Sequence, residues 1–395
     1  MSLLGKSIES FTEADLHRLI ELQVRESRHL DFKRELHLTT DSEKKEFLAD
    51  VVSFANASGG HLIFGMDEER GIASAVAGMD IENVELWLNG LDSMIRQTIQ
   101  PRITGIVLHP ITLSDGKTVV IMQIPRSWAL PHAVTYAGSF RFFARNASGK
   151  YPLDVTDLRA LFAVSESQHQ QHRTFRTERM GRIVSGETPL PLPKSAQLVV
   201  HLLPLNAFDP AAQVDLGKHS GIVRDQLALL RRDLAPRYRY NFDGFLLYQP
   251  LNAHQQSESY TQFFRNGMIE WVDAGFLFQP NVEKPFINSA LLERSVCEAV
   301  STALQLYQHL LISPPYLVML SLTGVKGYFM AFDESRRLMG HTIDREMLLV
   351  PEVLAESLDQ PVSQLLRQIF DALWQAAGYP RSLHYSEDGL WMAST

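Results

Sequence analysis

The stretch Phe54-Ala55-Asn56-Ala57-Ser58-Gly59-Gly60-His61-Leu62-Ile63-Phe64-Gly65-Met66-Asp67 sets the order helix, glycine turn, strand. Ahead of it, Phe47, Leu48, Val51, Val52 and Ala55 recur at helical spacing over 42–56, and Asn56-Ala57-Ser58-Gly59-Gly60 stops that helix. HLIFGMD then reads as a buried strand. Gly59 and Gly60 permit positive φ and close backbone approach, so the turn suits a phosphate or base, and equally a plain helix-to-strand turn. It is no phosphate loop: the Lys plus Ser or Thr after the second glycine is missing, and the turn follows a helix instead of preceding one.

Working outward, Thr12 and Asp15 read as a capping box before Leu16, Leu19 and Ile20, a short helix running to about residue 22. A strand follows around HLDFKREL. Val84, Trp87, Leu88, Leu91 and Ile95 mark one face of a helix over 81–99, which Pro101 ends. ITGIVLHPITL and TVVIMQIP form an expected hairpin around Ser114-Asp115-Gly116-Lys117. A strand over 140–145 and a helix starting at Asp154-Val155-Thr156-Asp157 close a mixed α/β domain spanning 1–164. Residues 165–195, basic and then proline-rich at Pro189, Pro191 and Pro193, read as a linker whose first part suits a helix. Residues 196–395 alternate strands such as FDGFLLY and YLVMLSLTGV with long helical patterns, a second α/β domain. Arg265-Asn266-Gly267 reads there as a hairpin turn. Sensor, oligomerisation surface and second nucleic-acid surface are all open roles for it.

A chain of 395 residues, 45% hydrophobic and 21% charged, has room for two cores. Its one cysteine, Cys297, excludes an intramolecular disulfide and a zinc site built on several thiolates; within VCEAVSTAL it reads as a buried core thiol. The opening MSLLGKSIESFTEADLH has no signal-peptide pattern, and no window approaches the roughly 20 apolar residues of a membrane helix. A cytoplasmic protein with no membrane partner is expected. Net charge is −8, so any polyanion site must be a local patch.

The first chemical constellation is Glu26-Ser27-Arg28-His29-Leu30-Asp31-Phe32-Lys33. In a strand, Asp31 and Lys33 share one face while Leu30 and Phe32 take the other. Glu26 precedes that strand, and Asp67 emerges just beyond LIFGM. Three carboxylates brought together repel unless they share protons or a cation, and Mg²⁺ or Mn²⁺ prefers such oxygen ligands. Such an ion polarises phosphate and activates water, with Lys33 on the phosphate. The bland reading keeps these acids as surface charges paired with Arg25, Arg28 and Lys33.

Other basic groups are Arg141, Arg145 and Lys150, and the series Arg173, Arg176, Arg179 and Arg182, whose spacing of three lies along a helix face suited to RNA or DNA backbone. A solvated face is the plainer reading of that series. His132 after Pro131 is read as a structural hydrogen-bonder before a substrate-positioning group.

Together, Glu26-Ser27, Asp31-Phe32-Lys33, Phe54-Ala55-Asn56 with Gly59-Gly60, and Gly65-Met66-Asp67 resemble the Schlafen AlbA_2 domain. Pro131-His132, Leu153-Asp154 and Leu158-Arg159 are similar to that family's closing elements, so the resemblance spans about 12–164. It implies nucleic-acid binding. It also implies, from animal Schlafens that cleave tRNA or rRNA, a three-carboxylate metal site falling on Glu26, Asp31 and Asp67. This chain has Asp31 where the nuclease pattern has Glu, and one lobe where the animal core joins two; a homodimer would supply the second.

Three readings follow. The first is a metal-dependent endonuclease on tRNA-like RNA or single-stranded nucleic acid, with Glu26, Asp31 and Asp67 binding Mg²⁺ or Mn²⁺ and Lys33 on the scissile phosphate. The second is a non-catalytic DNA- or RNA-binding regulator of transcription or antiviral defence, gripping a strand through Lys33, Arg34, Asn56, Gly59, Gly60, Arg141, Arg145, Arg173 and Arg176. The third, from an older family label, is an ATP-binding signalling protein.

Overall fold

The computed structural model of the chain describes residues 3, 4, 6, 8–209, 212–231, 235–279, 282–332, 341–356 and 360–392. They fall into two compact units, Met1–Gln170 and Gln171–Thr395.

Unit 1 runs α1 (Glu13–Glu21), β1 (Leu30–Lys33), α2 (Asp41–Ala55), β2 (Gly60–Phe64), β3 (Met66–Glu69), β4 (Ile72–Val76), α3 (Val84–Thr98), β5 (Ile99–Gln100), β6 (Val107–Thr112), β7 (Thr118–Ile124), β8 (Ala133–Val134), β9 (Arg141–Asn146), β10 (Gly149–Pro152) and the start of α4 (Val155–Ser185). The main sheet has the order β1-β2-β7-β6, with β1 at its edge and parallel to β2. Strands β6 and β7 are the expected hairpin. A second sheet has the order β10-β9-β8-β5.

Strands β2 and β7 each feed two cores by period two. Leu62, Phe64, Val120 and Met122 join Phe47, Leu48, Val51 and Val52 of α2. Leu30, Phe32, Ile63 and Ile121 join Leu16 and Leu19 of α1. With Leu30 and Phe32 committed to the α1 core, Asp31 and Lys33 are turned to the α2 face. The start of α2 is fixed by Thr40, whose hydroxyl accepts from the Glu43 N–H while the Glu43 carboxylate accepts from the Thr40 N–H. Its far end closes on Gly59, at φ +66, whose N–H donates to the Phe54 carbonyl at 2.9 Å.

Unit 2 contains β11 (Gln197–Pro204), α5 (Leu216–Gln226), β12 (Arg237–Tyr240), β13 (Gly244–Tyr248), β14 (Ser259–Phe264), β15 (Ile269–Asp273), β16 (Phe286–Asn288), α6 (Ser289–His309), β17 (Tyr316–Thr323), β18 (Phe329–Ala331), β19 (Met347–Leu349), β20 (Val353–Ala355) and α7 (Val362–Ala376). Its large sheet has the order β12-β13-β14-β15-β11-β17-β19, with β20 also on β17. Leu198, Val200, Phe245, Trp271 and Leu320 pack one face against α6 and α7, with Cys297 inside that core. The β14–β15 hairpin turns at Gly267, φ +82, as its sequence predicts.

The segment over 165–195 begins as a helix, as its sequence allows: α4 runs through it as far as Ser185. Of its arginines, Arg173 and Arg182 lie on a solvated face, while Arg176 and Arg179 are buried. Met180 and Ile183 pack with Val199, Leu246, Tyr260 and Val272 on the other side of the large sheet. That apolar stripe carries Arg176 and Arg179 inward with it.

Candidate nucleic-acid interface

Edge strand β1 is the centre of the charged residues of unit 1. Lys33 Nζ lies 3.2 Å from Asp31 Oδ1, the same-face pairing that strand periodicity predicts. The β9–β10 hairpin then brings two more cations to the α2 face, because Arg145 and Lys150 are opposed in its register. Arg145 Nη2 lies 3.3 Å from Asp31 Oδ2, and Lys150 Nζ lies 2.9 Å from Asp50 Oδ1 on α2 and beside Glu46. The Arg145 guanidinium stands 3.7 Å from the Phe54 ring centroid, a cation–π contact in a buried setting.

Glu26 approaches the pair from the segment before β1. Its Oε1 accepts from the Phe32 N–H at 2.9 Å, and its backbone N–H donates to the Gly71 carbonyl at 2.7 Å. Burial raises the Glu26 carboxyl above its ordinary value, with the neighbouring Asp31 adding to that against the Phe32 N–H. Burial acts the same way on Asp31, but Lys33, a hydrogen bond with Glu26, and Arg145 together hold Asp31 below the usual carboxylate range. Asp31 is therefore the anion of the pair and Glu26 the group that more readily keeps a proton. Lys33 is raised in turn: burial opposes its charge, and Asp31 and Asp50 outweigh burial.

Asp67 does not join this pair. Gly65, at φ +94, bends the chain directly into the β3–β4 hairpin, and Asp67 Oδ2 lies 3.0 Å from Arg34 Nη1. The acids that act electrostatically on Glu26 and Asp31 from elsewhere in the fold are Glu68 and Asp50. Among the described residues no group of three or more His, Cys, Asp and Glu is arranged to hold a metal ion. The donor set explains why: the Asp31 carboxylate faces Lys33 and Arg145, and that of Asp67 faces Arg34. As placed, Glu26, Asp31 and Asp67 do not fit a Mg²⁺ or Mn²⁺ centre.

Several expected contacts have other work. Asn56 is buried with its amide fully used: Nδ2 donates to the carbonyls of His132 at 2.8 Å and Phe143 at 2.9 Å, and Oδ1 accepts from the His132 N–H at 2.7 Å. His132 donates from Nδ1 to the Pro101 carbonyl at 2.6 Å, and burial pushes its imidazole down to about 4. Gly59 and Gly60 are buried too; a Cβ on either would fall 2.4 Å from backbone, at Arg126 N and His29 O respectively. They serve close packing at the strand start and leave no open phosphate cradle. Arg145 is buried. In unit 2, Arg176 is buried and donates to the Leu320 carbonyl at 2.6 Å and Ser321 Oγ at 3.1 Å, while Arg173 is exposed, 3.8 Å from Glu352. Lys33, Arg34 and Arg141 keep solvent access; the side chains of the first two are 40% and 69% exposed.

Residues 26–154 match the family model described as Schlafen, AlbA_2. Unit 1 carries a Schlafen AlbA_2 domain. The matched segment begins at Glu26 and takes in β1, the Asn56 clip, Arg145 and Lys150, so the charged cluster lies inside the Schlafen AlbA_2 domain. A crystal structure of the DIP2311 protein from Corynebacterium diphtheriae is similar at 18% identity over 36% of this chain and 27% of its own, TM-score 0.25. The N-terminal domain of a RecG-related protein from Nitrosomonas europaea is similar at 17% identity over 30% of this chain and 74% of its own, TM-score 0.22. This chain thus spans about a quarter of the length of the first. No curated protein matches the chain. No described helix is long and apolar enough to cross a membrane.

Proposed function

We propose that the Schlafen AlbA_2 domain binds nucleic acid, RNA or single-stranded DNA, through the phosphate backbone along edge strand β1, with Lys33 and Arg34 as the contacting cations. Family membership supports nucleic-acid binding in general. The observation that carries the choice of residues is that these two neighbouring cations are each backed by a carboxylate, Lys33 by Asp31 at 3.2 Å and Arg34 by Asp67 at 3.0 Å. Asp31 is in turn braced by Arg145 and by hydrogen bonding with Glu26. On this reading the acids orient basic side chains, and phosphate contacts set affinity without reading sequence.

Metal-dependent cleavage by Glu26, Asp31 and Asp67 is the second reading, favoured by the direct contact between Glu26 and Asp31. It requires Arg34 to release Asp67, and Lys33 and Arg145 to release Asp31, on substrate binding. The two readings part in one assay: wild type and the Glu26→Ala/Asp31→Ala variant with labelled tRNA, single-stranded RNA and single-stranded DNA, in Mn²⁺, Mg²⁺ or EDTA. Binding that persists in EDTA with no cleavage under any condition supports the binding reading. Cleavage that needs metal and disappears in the folded double variant overturns it in favour of the nuclease.

A further inference from the structure

The outer edge of the large sheet in unit 2 has a composition that its fold does not require. Strand β12 reads Arg237-Tyr238-Arg239-Tyr240, is exposed at every residue, and among the described residues pairs only with β13. By period two the arginines lie on one face and the tyrosines on the other. Tyr238 stacks on Phe245 with ring centroids 5.5 Å apart and planes at 20°, and Tyr240 meets the same ring edge-on at 5.4 Å. Their outer faces are open, the residues being 51% and 52% exposed. Two residues on, Phe242 is 93% exposed, a large apolar ring held in water. The Phe242 carbonyl accepts from Arg265 Nε at 3.0 Å, which fixes the backbone beneath the ring.

The charge around these rings is positive although the chain as a whole carries −8. Arg224, at the end of α5, hydrogen-bonds to Tyr238 and pairs with Asp225 at 2.8 Å. Arg239 donates to the Pro189 carbonyl at 2.9 Å. Arg237 and Arg239 have no carboxylate partner among the described residues. Asp233 and Asp243 are the neighbouring acids in sequence. Arginines on an edge strand are explained by protection against edge-to-edge pairing. Such protection does not explain three accessible aromatic rings in a row beside them.

Rings that offer a free π-face, interleaved with cations at strand spacing, are the chemistry that takes unpaired bases and their phosphates. We infer that β12 and the adjoining Phe242 form a second docking surface, in unit 2, for single-stranded nucleic acid. Bases stack on Tyr238, Tyr240 and Phe242, and phosphates lie against Arg237 and Arg239. A second copy of the chain pairing along β12 in parallel, or antiparallel about Tyr238, is disfavoured by the charge, since it brings arginines against arginines.

The inference is independent of the β1 reading and is tested on the full chain. Anisotropy of labelled oligouridylate and oligothymidylate of about 20 nucleotides is measured for wild type, Phe242→Ala, Arg237→Glu and, as the unit 1 control, Arg34→Glu. 4-Thiouridine crosslinking with peptide mapping locates the contacts. Phe242→Ala removes an exposed ring that packs no core, so its fold is retained, as circular dichroism checks. The expected result is crosslinks within 238–242, and binding weakened about tenfold by Phe242→Ala and by Arg237→Glu, the latter shrinking as salt rises. Wild-type affinity in both unit 2 variants, whatever Arg34→Glu does, overturns the inference. So does a concentration-dependent dimer that Phe242→Ala abolishes without any crosslink in this segment.

Discussion

Arg145 joins Asp31 from far along the chain: Nη2 and Oδ2 are 3.3 Å apart although their sequence numbers differ by 114, and both side chains are shielded from solvent. The pair ties the β9–β10 hairpin to edge strand β1. Removing one partner of a shielded pair leaves the other charge uncompensated. Arg145→Met is therefore expected to destabilise unit 1 by about 3 kcal/mol, with Lys33 limiting the loss. Urea unfolding followed by circular dichroism measures it; a variant as stable as wild type would show that Lys33 alone satisfies Asp31.

Asn56 makes three hydrogen bonds between the end of α2 and two other segments. Asn56→Ala leaves the His132 N–H and two carbonyls without their partner and is expected to lower stability by about 2–4 kcal/mol. Nucleic-acid affinity per folded molecule should not change, because the side chain is buried. A drop in affinity at full folding would return Asn56 to the interface.

Glu270 is fully buried and accepts from Arg179 at 2.7 Å on both oxygens, from His201 Nε2 at 2.9 Å and from Tyr260 at 2.9 Å. Burial alone would raise its carboxyl; Arg179 and His201 hold it at about 2. A depressed acid stabilises the fold above its unfolded value near 4.5 and loses that contribution as pH falls from there towards 2. Unit 2 is therefore expected to lose cooperative stability over that acid range. Arg179→Met should cost about 3–5 kcal/mol at neutral pH, read from the shift in denaturant midpoint.

Glu293 has the opposite sign. Burial pushes its carboxyl up to about 7, against hydrogen bonds from Ser382, Trp374 and Trp391. A raised acid holds its proton more tightly folded than unfolded, so its contribution is complete below about 4.5 and is lost as pH rises through 7. The loss is expected to be about 3 kcal/mol. Glu293→Gln should flatten the stability profile between pH 5 and 8; an unchanged slope in that variant assigns the pH dependence to another group.

The parts of this molecule legible in its sequence are those fixed by local pattern. Period two put Asp31 and Lys33 on one face of β1, and the helix, glycine turn and strand around Asn56 fell where spacing placed them. What stayed hidden depends on partners far along the chain. Asp67 follows a strand as expected, but the bend at Gly65 sends it to Arg34. Asp50 and Arg145 belong to the cluster only because α2 and β9 meet there. Arg173 and Arg182 of α4 are solvated as their spacing suggests, but Arg176 and Arg179 are not, because Met180 and Ile183 stand one helical turn on from them and turn that stripe inward. Those two residues were the available signal.

The most direct test of the account is the salt dependence of single-stranded RNA binding in EDTA, compared between wild type and Lys33→Ala, Arg34→Ala and the double variant. If β1 grips the phosphate backbone, each single variant binds more weakly and lowers the slope of log K against log salt by about one, and the double variant lowers it by about two. Wild-type affinity and slope in the double variant, with its fold intact, would contradict the assignment of β1 as the nucleic-acid interface.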